Sequence, residues 1–214
     1  MARLPCFLDD GDRLRCLHLL SESLARTQCA LHAYVLMDNH VHLLVTPQNA
    51  GDVGRLMQRV GTHYVCLFNA RHGRTGSLWE GRYKACLVDS EDCVLRCHRY
   101  IELNPIRARL TDDPATYRWS SCPAYLGERP ASDLYPHPVW QGLAGSRPER
   151  QQVWRRILDE ALPAEQLAEI RLYLQQQRAL GRDAFKAMVE AKTRRFASAR
   201  PAHRPRRRAE GASD

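Results

Sequence analysis

The sequence is poor in several features, and each shortage narrows its class. No apolar run approaches the roughly 18 residues that a membrane-crossing helix needs, so a helical span is not expected. The first residues, MARLPCFLDDGDR, turn acidic early and offer no apolar signal core, which makes the cytoplasm the expected compartment. The eight cysteines include no C-x-x-C pair and lie mostly inside apolar helix and strand patterns, where a reduced thiol acts as a small hydrophobe. Cys93, Cys97 and His98 have a C-x3-C spacing without a second pair, which is not a zinc framework. There is no Gly-rich loop ending in Lys to cradle a nucleotide phosphate, and no internal repeat.

Lysine is scarce as well: only three of the 32 basic residues are Lys. Eight of the 32 (Lys192, Arg194, Arg195, Arg200, Arg204, Arg206, Arg207 and Arg208) fall in residues 192–208, which hold no acidic residue. The remainder balances the 24 Asp+Glu, so the net charge of +8 belongs to the C-terminal end. Such a stretch attracts polyanions without reading sequence. It serves equally as a solubilising end. With 44% hydrophobic and 26% charged residues the chain can bury a sizeable core.

The periodicities lay out an order of elements. Leu14, Leu17, Leu20 and Leu24 predict an amphipathic helix over 11–27, with Asp10 and Asp12 near its start. Residues 30–37 and 40–46 read as strands joined by a two-residue turn at Asp38 and Asn39. Residues 52–70 carry Val53, Leu56, Met57, Val60, Tyr64, Leu67 and Phe68 on one helical face. Residues 82–88 read as a third strand, and Ser90 opens a helix that should stop near Asn104 because Pro105 disfavours helical geometry before it. A proline-rich connection over 111–145 leads to helices near 148–160, 163–179 and 182–196, with Gly181 placed to cap the second. From about residue 197 the composition reads as a disordered tail.

Two groups of residues carry candidate chemistry. His40 and His42, two apart on a strand, project from the same face with Cα atoms about 6.6 Å apart, so both imidazoles can reach one cation. Val41, Leu43 and Val45 point the other way, toward a core. Tyr100 and Asn104, four apart, share a helix face. The Asn104 amide oxygen can complete a site with the histidines, and the Tyr100 hydroxyl can act as a nucleophile on a phosphate that a divalent ion polarises. Each of these residues alone is more often a packing or surface residue. The joint pattern carries the reading.

Three segments in this order, YVLMDNHVHLLVTP (34–47), GSLWEGRYKA (76–85) and RYIELNPIRA (99–108), resemble the REP-associated tyrosine transposases, which belong to the His-hydrophobic-His single-strand transposases with one catalytic tyrosine. YRWSS (117–121) and LGRDAFKAMVEAKTRR (180–195) look like downstream segments of the same family, so the resemblance spans roughly residues 5–196. It implies an α+β fold with a ferredoxin-like antiparallel sheet, Tyr100 as nucleophile, and His40, His42 and Asn104 as ligands of Mg2+ or Mn2+. The implied reaction is cleavage and rejoining of single-stranded DNA at REP-type hairpins through a 5′-phosphotyrosine. Partners would be single-stranded DNA and hairpins, with no membrane, for a monomer or homodimer. Around the motifs, Arg82, Lys84, Arg99, Arg107 and Arg109 are candidates for DNA backbone contact. Tyr83 can stack on bases, and Trp79 is weighted toward packing.

One expectation departs from the family pattern. Its first strand, which lies between the histidine strand and the last strand, has no counterpart ahead of the first helix here. The expected sheet therefore exposes two strand edges unless they close as a parallel pair, and the expected causes are a start further upstream or a decayed gene. The expected organisation is a catalytic domain over 1–125, an irregular linker over 126–147, a helical segment over 148–196 and a basic tail over 197–214. The alternative to the nicking enzyme is a catalytically impaired protein that only binds DNA hairpins. A histidine-triad hydrolase is disfavoured because Leu44 stands where a third histidine would be, and an RNA-recognition domain because the strands lack paired stacking aromatics.

Overall fold

The Asp9 carboxylate accepts the Asp12 N–H and starts α1 (Asp10–Thr27), which ends where Gln28 turns left-handed at φ 53°. In this computed structural model, which describes residues 5–89 and 91–200, the buried stripe of α1 runs through Cys16, Leu20 and Leu24. Leu14, expected on that stripe, is exposed. Strands β1 (Cys29–Met37) and β2 (His40–Pro47) follow, joined at Asp38 and Asn39 as expected and paired antiparallel. Helix α2 (Asp52–His72) buries Leu56, Val60, Tyr64 and Phe68, whereas Leu67 faces out.

The β1–β2 hairpin is the middle layer. One face, with Leu31, Tyr34, Leu36, Val41, Leu43 and Val45, packs on α1 and α2. The other, with Ala33, Val35, Met37 and Leu44, packs toward α3 (Glu91–Glu102) and the C-terminal helices. A bulge between Leu31 and Ala33 shifts the alternation by one residue, so that Leu31 shares a face with Tyr34 and Leu36, and it leaves His32 as the extra residue. There the His32 Nδ1–H donates to Tyr135 O at 2.6 Å, while its Nε2 accepts from the Thr46 hydroxyl at 2.7 Å. Burial pushes the His32 pKa down and keeps the ring neutral.

A buried clamp joins α1 to α2. Asp12, 1% exposed, accepts the Leu8 N–H at 2.8 Å and hydrogen bonds from Arg71 and His72. Burial alone would raise its pKa, but the His72, Leu8 and Arg71 donors outweigh burial and hold it below the ordinary value of 3.8. A depressed folded-state value means that Asp12 contributes stability fully above that ordinary value and loses it as the pH falls further. Asp12→Asn is expected to cost about 3 kcal/mol at pH 7 and to flatten the acid side of the stability curve. Urea melts at pH 7 and at about pH 3 measure both effects; a loss that is the same at both pH values would refute the clamp.

The third predicted strand is where the sequence reading fails most. Only Leu87–Val88 is a strand, β3, while residues 82–86 have no regular structure. β3 pairs in parallel with β4 (Ala179–Leu180), not with the hairpin. Among the described residues β2 pairs only with β1, so the parallel closure of β2 onto residues 82–88 does not occur. The antiparallel sheet is thus a two-stranded hairpin in a mixed α+β fold, rather than a larger ferredoxin-like sheet. An alternating sequence becomes a strand only where a partner edge accepts its hydrogen bonds. The opposite edge of β1 does have a partner: Leu36 N–H donates to Trp119 O and Ser121 N–H to Tyr34 O, laying YRWSS along it.

Past α3 the chain restarts at once as α4 (Asn104–Arg107), with Pro105 in its first turn, where a missing N–H costs nothing. The proline-rich stretch holds a 3-10 turn (Pro114–Thr116), α5 (Cys122–Tyr125) and α6 (Pro138–Gln141). Helices α7 (Arg147–Asp159), α8 (Ala164–Gln176) and α9 (Asp183–Thr193) complete the C-terminal region. Gln177 at φ 53° caps α8, not Gly181. Gly181 follows β4, where a Cβ would collide with the Cβ of Asp89 beside β3, so the glycine serves a close chain approach. The expected tail begins later than residue 197: Ala197 is buried and its carbonyl accepts the Ala179 N–H. Its remainder from 201 onward lies outside the described residues. All eight cysteines are free thiols.

Candidate active site

The pleat of β2 turns His40, His42 and Leu44 toward α3, as the two-residue period requires. The two imidazoles meet edge to face with ring centroids 4.8 Å apart. Asn39 Oδ1 lies 2.6 Å from His40 Nδ1, so the ring donates its Nδ1–H there. His42 is more enclosed: burial first, then the positive charges of His40 and Arg107, push its pKa down to about 3. It is therefore neutral at physiological pH. Two imidazoles side by side, the His42 ring neutral, fit the donor set of a divalent-cation site. No group of three or more His, Cys, Asp and Glu that could hold a metal ion exists among the described residues, so any such site needs a donor of another kind.

Tyr100 comes from the third turn of α3, whose apolar face presses it against the hairpin. Its ring centroid lies 5.5 Å from that of His42, inclined at 74°, and the residue is 8% exposed. The structure thus brings the candidate nucleophile to the histidine pair across two elements. Asn104 does not share a continuous helix with Tyr100, because the helical path breaks at Leu103 before Pro105. It opens α4 instead, half-buried, one turn further along the chain.

The predicted basic residues separate into different environments. Arg82, Lys84 and Arg109 are exposed, and Arg109 adopts a left-handed φ of 58°. Arg99 donates through Nη2 to Glu160 O at 2.6 Å, which ties α3 to the end of α7. Arg107 folds back over the Tyr100 ring, its guanidinium carbon 4.4 Å from the centroid, and its Nη2 donates to Tyr100 O. Burial pushes the Arg107 pKa down to about 10, which leaves it charged. Trp79 packs against Tyr64 of α2 and donates to Gly61 O at 3.2 Å, while Tyr83 is exposed.

Residues 2–104 match the family model of the IS200-like transposases. This IS200-like segment contains His40, His42, Tyr100 and Asn104, while Arg107 and the C-terminal helices lie beyond it. The match supports a DNA transposase function, with the DNA binding, cleavage and transfer that transposition entails. No curated protein and no solved structure matches the chain. No helix among the described residues is long and apolar enough to cross a membrane.

Behind Tyr100 lies a residue that sequence reasoning missed. Glu102, fully buried two positions after Tyr100, accepts His98 Nε2–H at 2.9 Å and the Ser121 hydroxyl at 3.0 Å on one oxygen. Its other oxygen accepts Trp154 Nε1–H at 2.8 Å. One carboxylate thus joins the tyrosine helix, the strip beside β1 and α7. The signal was present: His98 and Glu102 stand four apart on the apolar side of α3, where an ionisable pair has no reason to sit unless bonded.

Proposed function

We propose that this protein is a single-strand DNA transposase that cuts and rejoins DNA at REP-type hairpins through Tyr100. The observation that carries the reading is the Tyr100 ring set 5.5 Å from that of His42, on the face that also presents His40. His40, His42 and Asn104 would hold Mg2+ or Mn2+, two imidazole nitrogens and an amide oxygen leaving positions for water and substrate. When bound, such an ion supplies Lewis-acid polarisation of the scissile phosphate.

This chain's own residues then have separate tasks. The Tyr100 hydroxyl attacks phosphorus, forming a 5′-phosphotyrosine and releasing a 3′-hydroxyl, and the reverse attack rejoins the strand. The Asn39 carboxamide orients His40. Exposed Arg82, Lys84 and Arg109, with Lys192, Arg194 and Arg195 at the C-terminal end, pair with backbone phosphates.

A second reading, hairpin binding without chemistry, is favoured by one observation: β2 has no strand on its outer edge among the described residues, so the histidines sit on an edge strand. Palindromic DNA flanking the gene, synthesised as hairpins with a single-stranded arm, decides between the two. Incubation with MnCl2 or MgCl2 is expected to give a covalent adduct stable in SDS, with a free 3′-hydroxyl on the released fragment and no product in EDTA. Tight hairpin binding with no cleavage under any of these conditions would select the second reading.

A further inference from the structure

Arg107 stands out among the buried cations. Its Nε and Nη1 are both shut off from solvent with no acceptor. Several other arginines leave a single Nε in that state, but among the described residues only Arg107 leaves two nitrogens so. Arg13 and Arg96, which are also partly buried, are paired with Asp38 and with Glu169, whereas no carboxylate among the described residues pairs with Arg107. Instead its charge sits over Tyr100, within electrostatic reach of His42 and of Arg171 on α8. A half-buried guanidinium with two unmet donors, the positive Arg171 nearby and no counter-ion among the described residues is built for an anion that arrives with the substrate.

We propose that Arg107 is a catalytic residue whose Nε–H and Nη1–H grip a non-bridging oxygen of the scissile phosphate while Nη2 stays anchored on Tyr100 O. This rests on Tyr100 being the nucleophile. As the bond from the phenol oxygen to phosphorus forms, the phosphorus–O3′ bond breaks; the phenol proton leaves to water and the departing O3′ takes one up. Negative charge builds on the non-bridging oxygens in between, where a fixed guanidinium acts most strongly. The same anchor that aims the fork also holds the carbonyl of the nucleophile's own residue, so donor and attacking oxygen move together. A cation beside the histidine pair then has a purpose: were a metal ion held by the histidines, the phosphate would screen Arg107 from it.

The test crosses Arg107→Gln and Arg107→Lys with two substrates that differ at one phosphate. These are the hairpin oligonucleotide with a normal phosphodiester at the mapped cut site and the same oligonucleotide with a neutral methylphosphonate there. On the phosphodiester, Arg107→Gln is expected to slow adduct formation by about 100-fold or more and to weaken binding in EDTA by about tenfold. On the methylphosphonate both losses should shrink to within about threefold of the unaltered protein, because the charge that Arg107 meets is gone. Arg107→Lys keeps the charge without the fork and should fall between the two; it replaces the Gln variant if that one melts early. Equal losses on both substrates would assign Arg107 to structure alone and overturn the proposal while leaving Tyr100 in place. Failure of the unaltered protein to form any adduct would remove the nucleophile and the proposal with it.

Discussion

Replacing Tyr100 by Phe is expected to lower formation of the protein–DNA adduct by at least about 10^4-fold, with hairpin affinity changed by less than about threefold. The substitution removes one oxygen and keeps the ring that packs on His42 and under the Arg107 guanidinium. Packing and electrostatic surroundings are therefore conserved, and only the attacking atom is lost. The contrast matters because Tyr100 is buried at the junction of the hairpin and α3, where an ordinary packing tyrosine would also sit. A packing role would leave cleavage nearly intact in the Phe variant. Denaturing gels with end-labelled hairpin measure the adduct and gel shifts measure binding; an adduct still formed by Tyr100→Phe would remove this residue from the chemistry.

Glu102→Ala is expected to destabilise the fold by about 3–5 kcal/mol, the largest stability effect predicted for any single change here. Its carboxylate accepts three hydrogen bonds at a site with no exposure, from His98, Ser121 and Trp154. Truncation leaves the His98 and Trp154 donors without an acceptor, while the Ser121 hydroxyl keeps Tyr34 O, and it opens a void between α3 and α7; each buried unmet donor costs about 1–3 kcal/mol. Trp154→Phe, which removes one donor and keeps the acceptor, should cost roughly a third as much. Urea unfolding followed by tryptophan fluorescence distinguishes them. A loss under about 1 kcal/mol for Glu102→Ala would mean that the carboxylate does not hold the tyrosine helix to the C-terminal region. Because Tyr100 lies on the same helix, the variant should also blur the position of the nucleophile, and residual cleavage should fall more steeply than stability alone accounts for.

The parts of the candidate site legible in the sequence are those set by local geometry. His40 and His42 share a face because a strand repeats every two residues, and Val41, Leu43 and Val45 pack behind them for the same reason. The stop before Pro105 was legible because proline cannot donate to the helical ladder. What local geometry could not show was whether a partner was present. Residues 82–86 carry a strand-like pattern but pair with no edge, not even the open side of β2, and Leu87–Val88 found a partner only on a segment some ninety residues later. Gly181 read as a helix cap, yet it answers to the close passage of Asp89. Arg107 read as one of five candidates for DNA backbone contact, and only the fold shows it lying on the Tyr100 ring.

By itself, then, the chain's sequence determined the long helices, the β1–β2 hairpin, most of the residues that they bury, and the pairing of two histidines on one strand. Periodicity and turn chemistry act over a few residues and need no partner. The tertiary structure decided which of those faces meet: Tyr100 against His42, Glu102 beneath Trp154, Arg107 left without a counter-ion. Such contacts join residues tens of positions apart, and burial in their shared interior, rather than any local pattern, sets what each group can do.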